Sequence, residues 1–335
     1  LTTVLIGGVI SDHKGINREG GGLSAGALTL KDKADIKFAV KERLDFLAVS
    51  FVRNSNDILY ARRLLSEAGG SARLIAKIER MEALENISEI IDVSDALMVA
   101  RGDLGVEMGY AELTGQQKKI IEMTRRQNKV VITATQMMES MIKNPIPTRA
   151  EVSDVANAVM DGTDAVMLSA ETAVGKYPIE VVKAVSDICK GAEKHIKESL
   201  RSGQRYDDRF SEVDEAIAMA VMYSANHLNV KAIIALTETG TTALWMSRVR
   251  SDIPIYAFTP HDETSRRVSL YRGVYPVSFS INTSDRHILY RDIFKTLLSN
   301  NLVQKQDRVI FTKGDLDGVS GGTNSMQIIE VNVDT

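Results

Sequence analysis

Residues 73–93 read RLIAKIERMEALENISEIIDV. The first seven, RLIAKIE, are short and apolar with the alternation of a strand. The remainder, RMEALENISEIIDV, has the 3.6-residue apolar period of a helix. The same β-then-α unit recurs on both sides. DFLAVSF (45–51) precedes NDILYARRLLSEAG, ALMVARGDLG (96–105) precedes YAELTGQQKKIIEMTRRQN, KVVITATQ (129–136) precedes PTRAEVSDVANAVMDG, and DAVMLSAE (164–171) precedes PIEVVKAVSDICKGAEKH. Strand starts near Phe46, Leu74, Leu97, Val130 and Ala165 are spaced at roughly thirty residues, the rhythm of an eight-unit β/α barrel of about 250 residues. A doubly wound open sheet has a similar rhythm, so spacing alone leaves both open.

Side-chain parity favours the barrel. On a strand, residues two apart share a face. Leu74, Ala76 and Ile78 oppose Lys77 and Glu79; Leu47, Val49 and Phe51 oppose Ala48 and Ser50. Val130, Ile132 and Ala134 oppose Thr133 and Thr135; Val166, Leu168 and Ala170 oppose Ser169 and Glu171. The expectation is that each apolar face packs on outer helices, while the opposite face turns polar toward its C-terminal end. In a barrel such ends converge at the mouth that carries the active site. Five units are visible where a closed barrel needs eight; about three strands are expected upstream of Leu1.

From about Ser211 the organisation restarts. SEVDEAIAMAVMYSANHL (211–228) reads as a helix with Ser211 as N-cap and Asp214 in its first turn. KAIIALT, PIYAFT, VYPVSFS and DRVIFTKG then alternate with helical stretches such as TTALWMSRVRS and DETSRRVSLYRG. ESLRSGQRYDDRF (198–210) is the expected linker. The fold class is therefore α/β: a partial (β/α)8 barrel followed by a separate C-terminal α/β domain. The divisions are 1–12 for the end of a lid domain, 13–200 for the barrel and 211–335 for the C-terminal domain.

Composition narrows the function. The 335 residues are 44% hydrophobic and 25% charged, with a formal net charge of −3. That balance is ordinary for a globular protein and speaks against a nucleic-acid binder working through a general basic surface. No apolar run approaches a membrane span, and no signal-peptide pattern opens the chain. The single cysteine, Cys189, excludes an intrachain disulfide and fits a reducing cytoplasm. It sits in a helical stretch and reads as a buried helix residue. The five histidines, His13, His195, His227, His261 and His287, have no metal-ligand spacing. Neither a Walker A pattern nor G-x-G-x-x-G occurs.

The chemistry concentrates at two strand ends. Lys77 and Glu79 end one strand, and ARGD (100–103) ends the next. Neighbouring parallel strands place these ends side by side, so Glu79 and Asp103 suit one Mg2+, a hard ion held by one or two carboxylates plus substrate oxygens and waters. Gly102 allows close backbone approach, and turn N–H groups there suit an anion. Lys77 adds positive charge where negative charge develops. From the pattern alone, such a site and a structural Lys–Glu pair fit equally well.

LIAKIER (74–80), MVARGDLGVEM (98–108) and the long run VVITATQMMESMIKNPIPTRAEVSDVANAVMDGTDAVMLSAETAVGKYP (130–178) closely resemble the pyruvate kinase family, and the resemblance runs along essentially the whole chain. SDHKGIN (11–17) resembles the return from that family's small lid domain. ALTETGTTALWMSR (235–248) and GGTNSM (321–326) resemble its C-terminal regulatory domain. GGGLSAGALTLKDKADI (20–36) looks closest to the bacterial branch activated by AMP or sugar monophosphates.

The resemblance implies an enzyme that transfers the phosphoryl group of phosphoenolpyruvate to ADP, giving pyruvate and ATP, the last step of glycolysis. It implies Mg2+ (or Mn2+) held by Glu79 and Asp103. K+ is implied as well, with ligands upstream of this chain. Lys77 matches the lysine that stabilises the phosphoryl group in flight and the enolate of pyruvate. Backbone amides of Gly102 and Asp103 match those that hold the substrate carboxylate, with Thr135 beside it and in the proton relay. Ser169 and Glu171 match polar residues lining the same cavity. Thr237, Glu238, Thr239, Gly240, Thr241 and Thr242 match the loop that binds a phosphorylated effector; the family more often has Ser where this chain has Thr239.

A cytoplasmic homotetramer is implied too. The helix faces in RDIFKTLLSNN (291–301) and AIAMAVMYSANHL (216–228) suit subunit contacts and intradomain packing equally. Much of the family's ADP site and one substrate arginine belong to segments outside these residues, so the 335 residues alone are expected to turn over little or nothing. An Mg-dependent barrel lyase or aldolase acting through a pyruvate enolate is the alternative, and it needs neither nucleotide nor effector domain. A non-catalytic effector-binding protein is a further one, opposed by the intact Lys77, Glu79, Asp103 and Thr135.

Overall fold

The computed structural model describes residues 3–4, 7–8, 18–22, 26–194, 210, 212–249, 251–281, 285–314 and 322–332, and the backbone alone over 195–199. The expected family lid segment 11–17 and most of the linker 198–210 lie outside the described residues, as does Ser211.

The first domain is one sheet of parallel strands in sequential order: β1 (Phe46–Val49), β2 (Arg73–Ile78), β3 (Ala96–Ala100), β4 (Val130–Ala134) and β5 (Ala165–Met167). Among the described residues it does not close on itself. Its helices are α1 (Leu30–Lys41), α2 (Ser55–Glu67), α3 (Met81–Glu85), α4 (Ile87–Val93), α5 (Arg101–Met108), α6 (Tyr110–Arg126), α7 (Arg149–Asp161), α8 (Ala170–Ala173) and α9 (Pro178–Ser199). Local chemistry sets several starts. Thr29 with Asp32, and Thr148 with Glu151, form capping boxes that satisfy free N–H groups at the starts of α1 and α7. Gly162 ends α7 in a left-handed conformation.

The outward face of the strands carries Val49, Leu74, Ala76, Ile78, Leu97, Val99 and Val131, packed with Ile58, Leu65, Ile90, Ile120 and Ile121 of the helices. The inward face carries Ile75, Ala96, Met98, Val130 and Ile132. Parity therefore holds for β1, β2 and β5 and is corrected for β4. Val131 and Thr133 of β4 face the helices, and Val130, Ile132 and Ala134 face inward, because register pairs Leu97 with Val131 and Val99 with Thr133. Thr133 is fully buried, and its hydroxyl meets that of Thr163 at 3.1 Å. A second correction concerns ARGD: the strand stops at Ala100, and Arg101, Gly102 and Asp103 form the first turn of α5.

The second domain contains α10 (Val213–His227), β6 (Ala232–Leu236), α11 (Thr241–Ser247), β7 (Ile255–Thr259), α12 (Asp262–Val268), β8 (Val274–Ser278), α13 (Arg286–Ser299), β9 (Arg308–Gly314) and β10 (Thr323–Glu330). Its strand order is β10-β9-β6-β7-β8, parallel except for the antiparallel β9–β10 pair. The position before α10 is Glu212, whose side chain makes no cap bond. Strand β10 escaped the sequence reading.

This domain covers the N-terminal ends of the barrel strands. Arg266 bonds Asp45, Arg267 bonds the Ser71 carbonyl, Arg73 bonds the Tyr271 hydroxyl, and Arg248 bonds the Lys129 carbonyl and Asp164. Every barrel partner named precedes or starts a strand, so the C-terminal ends stay open. Arg248 and Asp164 are both essentially buried, and Asp164 also accepts from the backbone N–H of Val131 and Arg272.

Removing one partner of a buried pair strands the other charge, at a cost of about 3–5 kcal/mol. Arg248→Met is expected to destabilise the protein on that scale in chemical unfolding. A change below about 1 kcal/mol, the range of exposed pairs, contradicts the buried assignment.

Candidate functional site at the open strand ends

Register decides which side chains meet at the mouth. Val49 pairs with Ala76, which sets Ser50 beside Lys77; Ile78 pairs with Val99, which sets Glu79 beside Ala100 and the start of α5. The Lys77 ammonium lies 2.6 Å from Glu79 Oε1 and donates to Ser50 Oγ at 2.9 Å. Glu79 Oε2 accepts from the Phe51 N–H at 2.7 Å. Glu79 is 2% exposed, whereas the Lys77 side chain is 24% exposed. The carboxylate is thus fixed and dry, and the ammonium reaches the open side.

The backbone is bent to build this. Phe51, Thr135 and Gln136 all have positive φ, at 54°, 66° and 52°. For non-glycine residues this conformation costs on the order of 1–2 kcal/mol each, and such strain clusters where function requires it. At Phe51 the bend aims the N–H at Glu79. At Thr135 it turns the side chain toward α5, where Oγ1 accepts from the Gly102 N–H at 2.8 Å and donates to the Ala134 carbonyl at 2.6 Å.

Asp103 lies in the first turn of α5 and is partly exposed. Its carboxylate and that of Glu79 come from adjacent elements at the same end of the sheet. Both are hard oxygen donors, the kind Mg2+ or Mn2+ takes. Among the described residues no group of three or more His, Cys, Asp or Glu side chains is arranged to hold a metal, so a divalent ion here would rely on two carboxylates plus other oxygens. A Cβ on Gly102 would make only ordinary contacts with Thr135, at 3.5 and 3.7 Å. The protein itself does not demand glycine there; the open side of the turn is what its small size leaves clear.

Ser169 follows β5 and carries φ −125° and ψ −99°. Glu171 follows it in the first turn of α8. It is 3% exposed and accepts from the N–H groups of Met138 and Ser169. Two groups escaped the sequence reading of the site. Ser50, which parity had placed on the polar face, bonds Lys77. Arg101, read only as part of the ARGD strand end, is buried and bonds the loop after β4. That loop is also held by Glu151 of α7, which accepts from Ser140 N (2.7 Å), Ser140 Oγ (2.5 Å), Thr148 N and Thr148 Oγ1.

The threonine loop of the second domain lies between β6 and α11. Thr237 Oγ1 accepts from Gly240 N at 2.9 Å, Thr239 and Thr241 hydroxyls meet at 2.9 Å, and Glu238 pairs with His261 at 2.5 Å. Gly240 has φ +85°, and a Cβ there would come within 2.6 Å of Val268, so both conformation and space require glycine. Thr242 is turned inward, buried against Thr323 of β10 with hydroxyls 2.6 Å apart. It supports the loop and does not face solvent.

Comparison with known proteins places both domains in one family. Residues 1–182 match the family described as pyruvate kinase, barrel domain, and residues 215–329 match pyruvate kinase, alpha/beta domain. A pyruvate kinase of Buchnera aphidicola subsp. Acyrthosiphon pisum is 52% identical over 335 residues, covering 99% of this chain and 69% of the relative. Pyruvate kinase II of Salmonella typhimurium is 53% identical over 334 residues, covering 98% and 69%. A pyruvate kinase of Haemophilus influenzae is 56% identical over 280 residues, covering 82% and 58%.

Glu151 supplies a pH test of the loop. Burial opposes its charge, but the bonds from Ser140 and Thr148 outweigh that and hold its carboxyl below the ordinary 4.5. A carboxyl depressed in the folded state stabilises above its unfolded pKa, and the contribution is lost as pH falls through the folded value. Glu151→Gln is expected to lower the thermal midpoint at neutral pH, with the gap closing as pH drops below 4.5. A gap that stays constant into acid contradicts this.

Proposed function

The chain belongs to the pyruvate kinase family, and from that premise we propose that its phosphoryl transfer from phosphoenolpyruvate to ADP takes place at the open strand ends, with Lys77, Glu79, Asp103, Gly102 and Thr135 as the working groups. The observation that carries the assignment is the Lys77–Glu79 pair, braced by Ser50 and Phe51 and facing the first turn of α5.

Phosphoryl transfer asks a protein for positioning and charge neutralisation more than for covalent chemistry. Lys77 is suited to both. Its ammonium is held by two oxygen partners yet reaches the open side, so it needs little reorganisation to meet the phosphoryl oxygens and the enolate oxygen left behind. Glu79 and Asp103 would hold Mg2+ or Mn2+, which supplies Lewis-acid charge to the same oxygens when bound. Glu79 is fixed by the Phe51 N–H, so its carboxylate enters in one orientation.

The substrate carboxylate is assigned to the first turn of α5, where N–H groups lack helical partners and the helix dipole favours an anion. The Gly102 N–H is already taken by Thr135 Oγ1. A carboxylate that takes the Gly102 N–H together with that of Asp103 therefore displaces or shares that bond. Thr135 then turns its own proton from the Ala134 carbonyl toward the substrate, which places the hydroxyl for a proton relay to the enolate. Ser169, which follows β5, is assigned to the same opening.

Regulation by a phosphorylated effector, AMP or a sugar monophosphate, is assigned to the loop Thr237, Glu238, Thr239, Gly240 and Thr241, with Thr242 as its inward anchor. A homotetramer, a K+ requirement and a cytoplasmic site of action follow as expectations of the family.

Lys77→Met in the full-length protein tests the core of this reading. ATP formation is expected to fall at least a hundred- to a thousandfold, the scale of losing one positioned electrostatic partner, with the circular-dichroism spectrum kept. Unchanged ATP formation removes Lys77 from the chemistry.

A further inference from the structure

We propose that Arg101 is the positioning residue that sets Thr135 for catalysis. Its guanidinium holds the loop after β4 in the strained left-handed conformation that aims the Thr135 hydroxyl at α5. The proposal rests on the pyruvate kinase reading of this site.

Thr135 and Gln136 are consecutive residues with positive φ. Thr135 is β-branched, the side-chain type for which this conformation is a true outlier. Something outside the loop must hold it. Arg101 Nε and Nη2 donate to the Thr135 carbonyl at 3.2 and 2.8 Å; Nη2 also donates to the Gln136 carbonyl at 3.1 Å and meets Met137 Sδ at 2.9 Å. Two left-handed residues in succession turn their carbonyls the same way, and the planar guanidinium fork matches that pair of acceptors. The far side of the fork is set by Asp154 of α7, with Nη1 donating to Oδ1 at 2.7 Å and 2.6 Å from Oδ2.

Arg101 adjoins Gly102, whose N–H holds the Thr135 hydroxyl. Thr135 is thus gripped twice from the start of α5: its carbonyl by the Arg101 side chain, its hydroxyl by the Gly102 amide. Where the first turn of α5 sits fixes where the hydroxyl points. The Arg101 side chain is 7% exposed and makes its bonds behind the loop, so it acts through Thr135. Lys77, Glu79 and Asp103 do not share these bonds.

Asp154 is 37% exposed, so truncating Arg101 does not leave a buried orphan charge. This makes a double-mutant cycle feasible on the full-length protein with Thr135→Val, Arg101→Met and the pair. Groups acting as one unit are non-additive. Each single variant is expected to lower kcat at least about tenfold, with KM for ADP held within about twofold, and the double variant to lie within about threefold of Thr135→Val. Arg101→Lys, with one donor group in place of the fork, is expected between the unchanged protein and Arg101→Met; it carries the comparison if Arg101→Met does not fold. A double variant showing the full product of the two losses overturns the proposal, as does an Arg101 effect confined to thermal stability. Unchanged ATP formation in Thr135→Val overturns the active-site reading itself, and with it the role of Arg101.

Discussion

A buried carboxylate must be compensated or it does not stay charged. Glu79 is the place in this molecule where that constraint is most visible. Its two oxygens are taken by the Lys77 ammonium and the Phe51 amide, and each partner is itself constrained. Lys77 is tied to Ser50, and Phe51 accepts a left-handed backbone to present its N–H. One charge at the end of β2 therefore fixes the end of β1, and register carries the arrangement to the start of α5. The interaction is poor value as stability, since buried ion pairs seldom outperform apolar packing. Its sense lies in holding a cation and a hard anion together at an opening.

The two ends of the sheet are built for opposite purposes. The N-terminal ends are bonded to the second domain through Asp45, Ser71, Arg73, Lys129 and Asp164, and the inward face shares one buried cluster with Ala218, Val221, Ala243 and Met246. The C-terminal ends carry the left-handed Phe51, Thr135 and Gln136, the Lys77–Glu79 pair and the first turn of α5. Asp164 joins the two descriptions: it holds Arg248 of the second domain and the Val131 amide of β4, the strand whose other end leads to Thr135. Helix α11 begins beside the threonine loop and ends at Arg248.

Much of this was legible in the sequence, for physical reasons that also mark its limits. Strand β2 alternates cleanly, so parity placed Lys77 and Glu79 together, and the family resemblance gave them roles. Strand β4 is apolar on both faces, so alternation there could not tell inside from outside, and Thr133 was assigned to the wrong face. Thr135 reaches the site through a left-handed turn that no periodicity records. ARGD reads as a strand end because Gly102 and Gly105 are poor helix formers. Packing overrides this: a Cβ at Gly105 would meet Tyr110 of α6 at 2.7 Å, so glycine serves close contact between α5 and α6. Arg101 braced the site unseen, since a buried charged side chain and a solvent-facing one look alike in sequence. Strand β10 was missed because its pairing with β9 is antiparallel while the surrounding rhythm is β-then-α.

The most direct test of the account is a divalent-cation titration of the full-length protein. Mn2+ binding is followed by electron paramagnetic resonance in the presence of oxalate, a small dianion with adjacent oxygens like those of the pyruvate enolate. The account predicts a Mn2+ site that Glu79→Gln weakens at least about tenfold, the lower end of the loss expected when a metal site is damaged, with folding retained. Equal Mn2+ affinity in the two proteins would show that Glu79 is a structural partner of Lys77 and holds no metal.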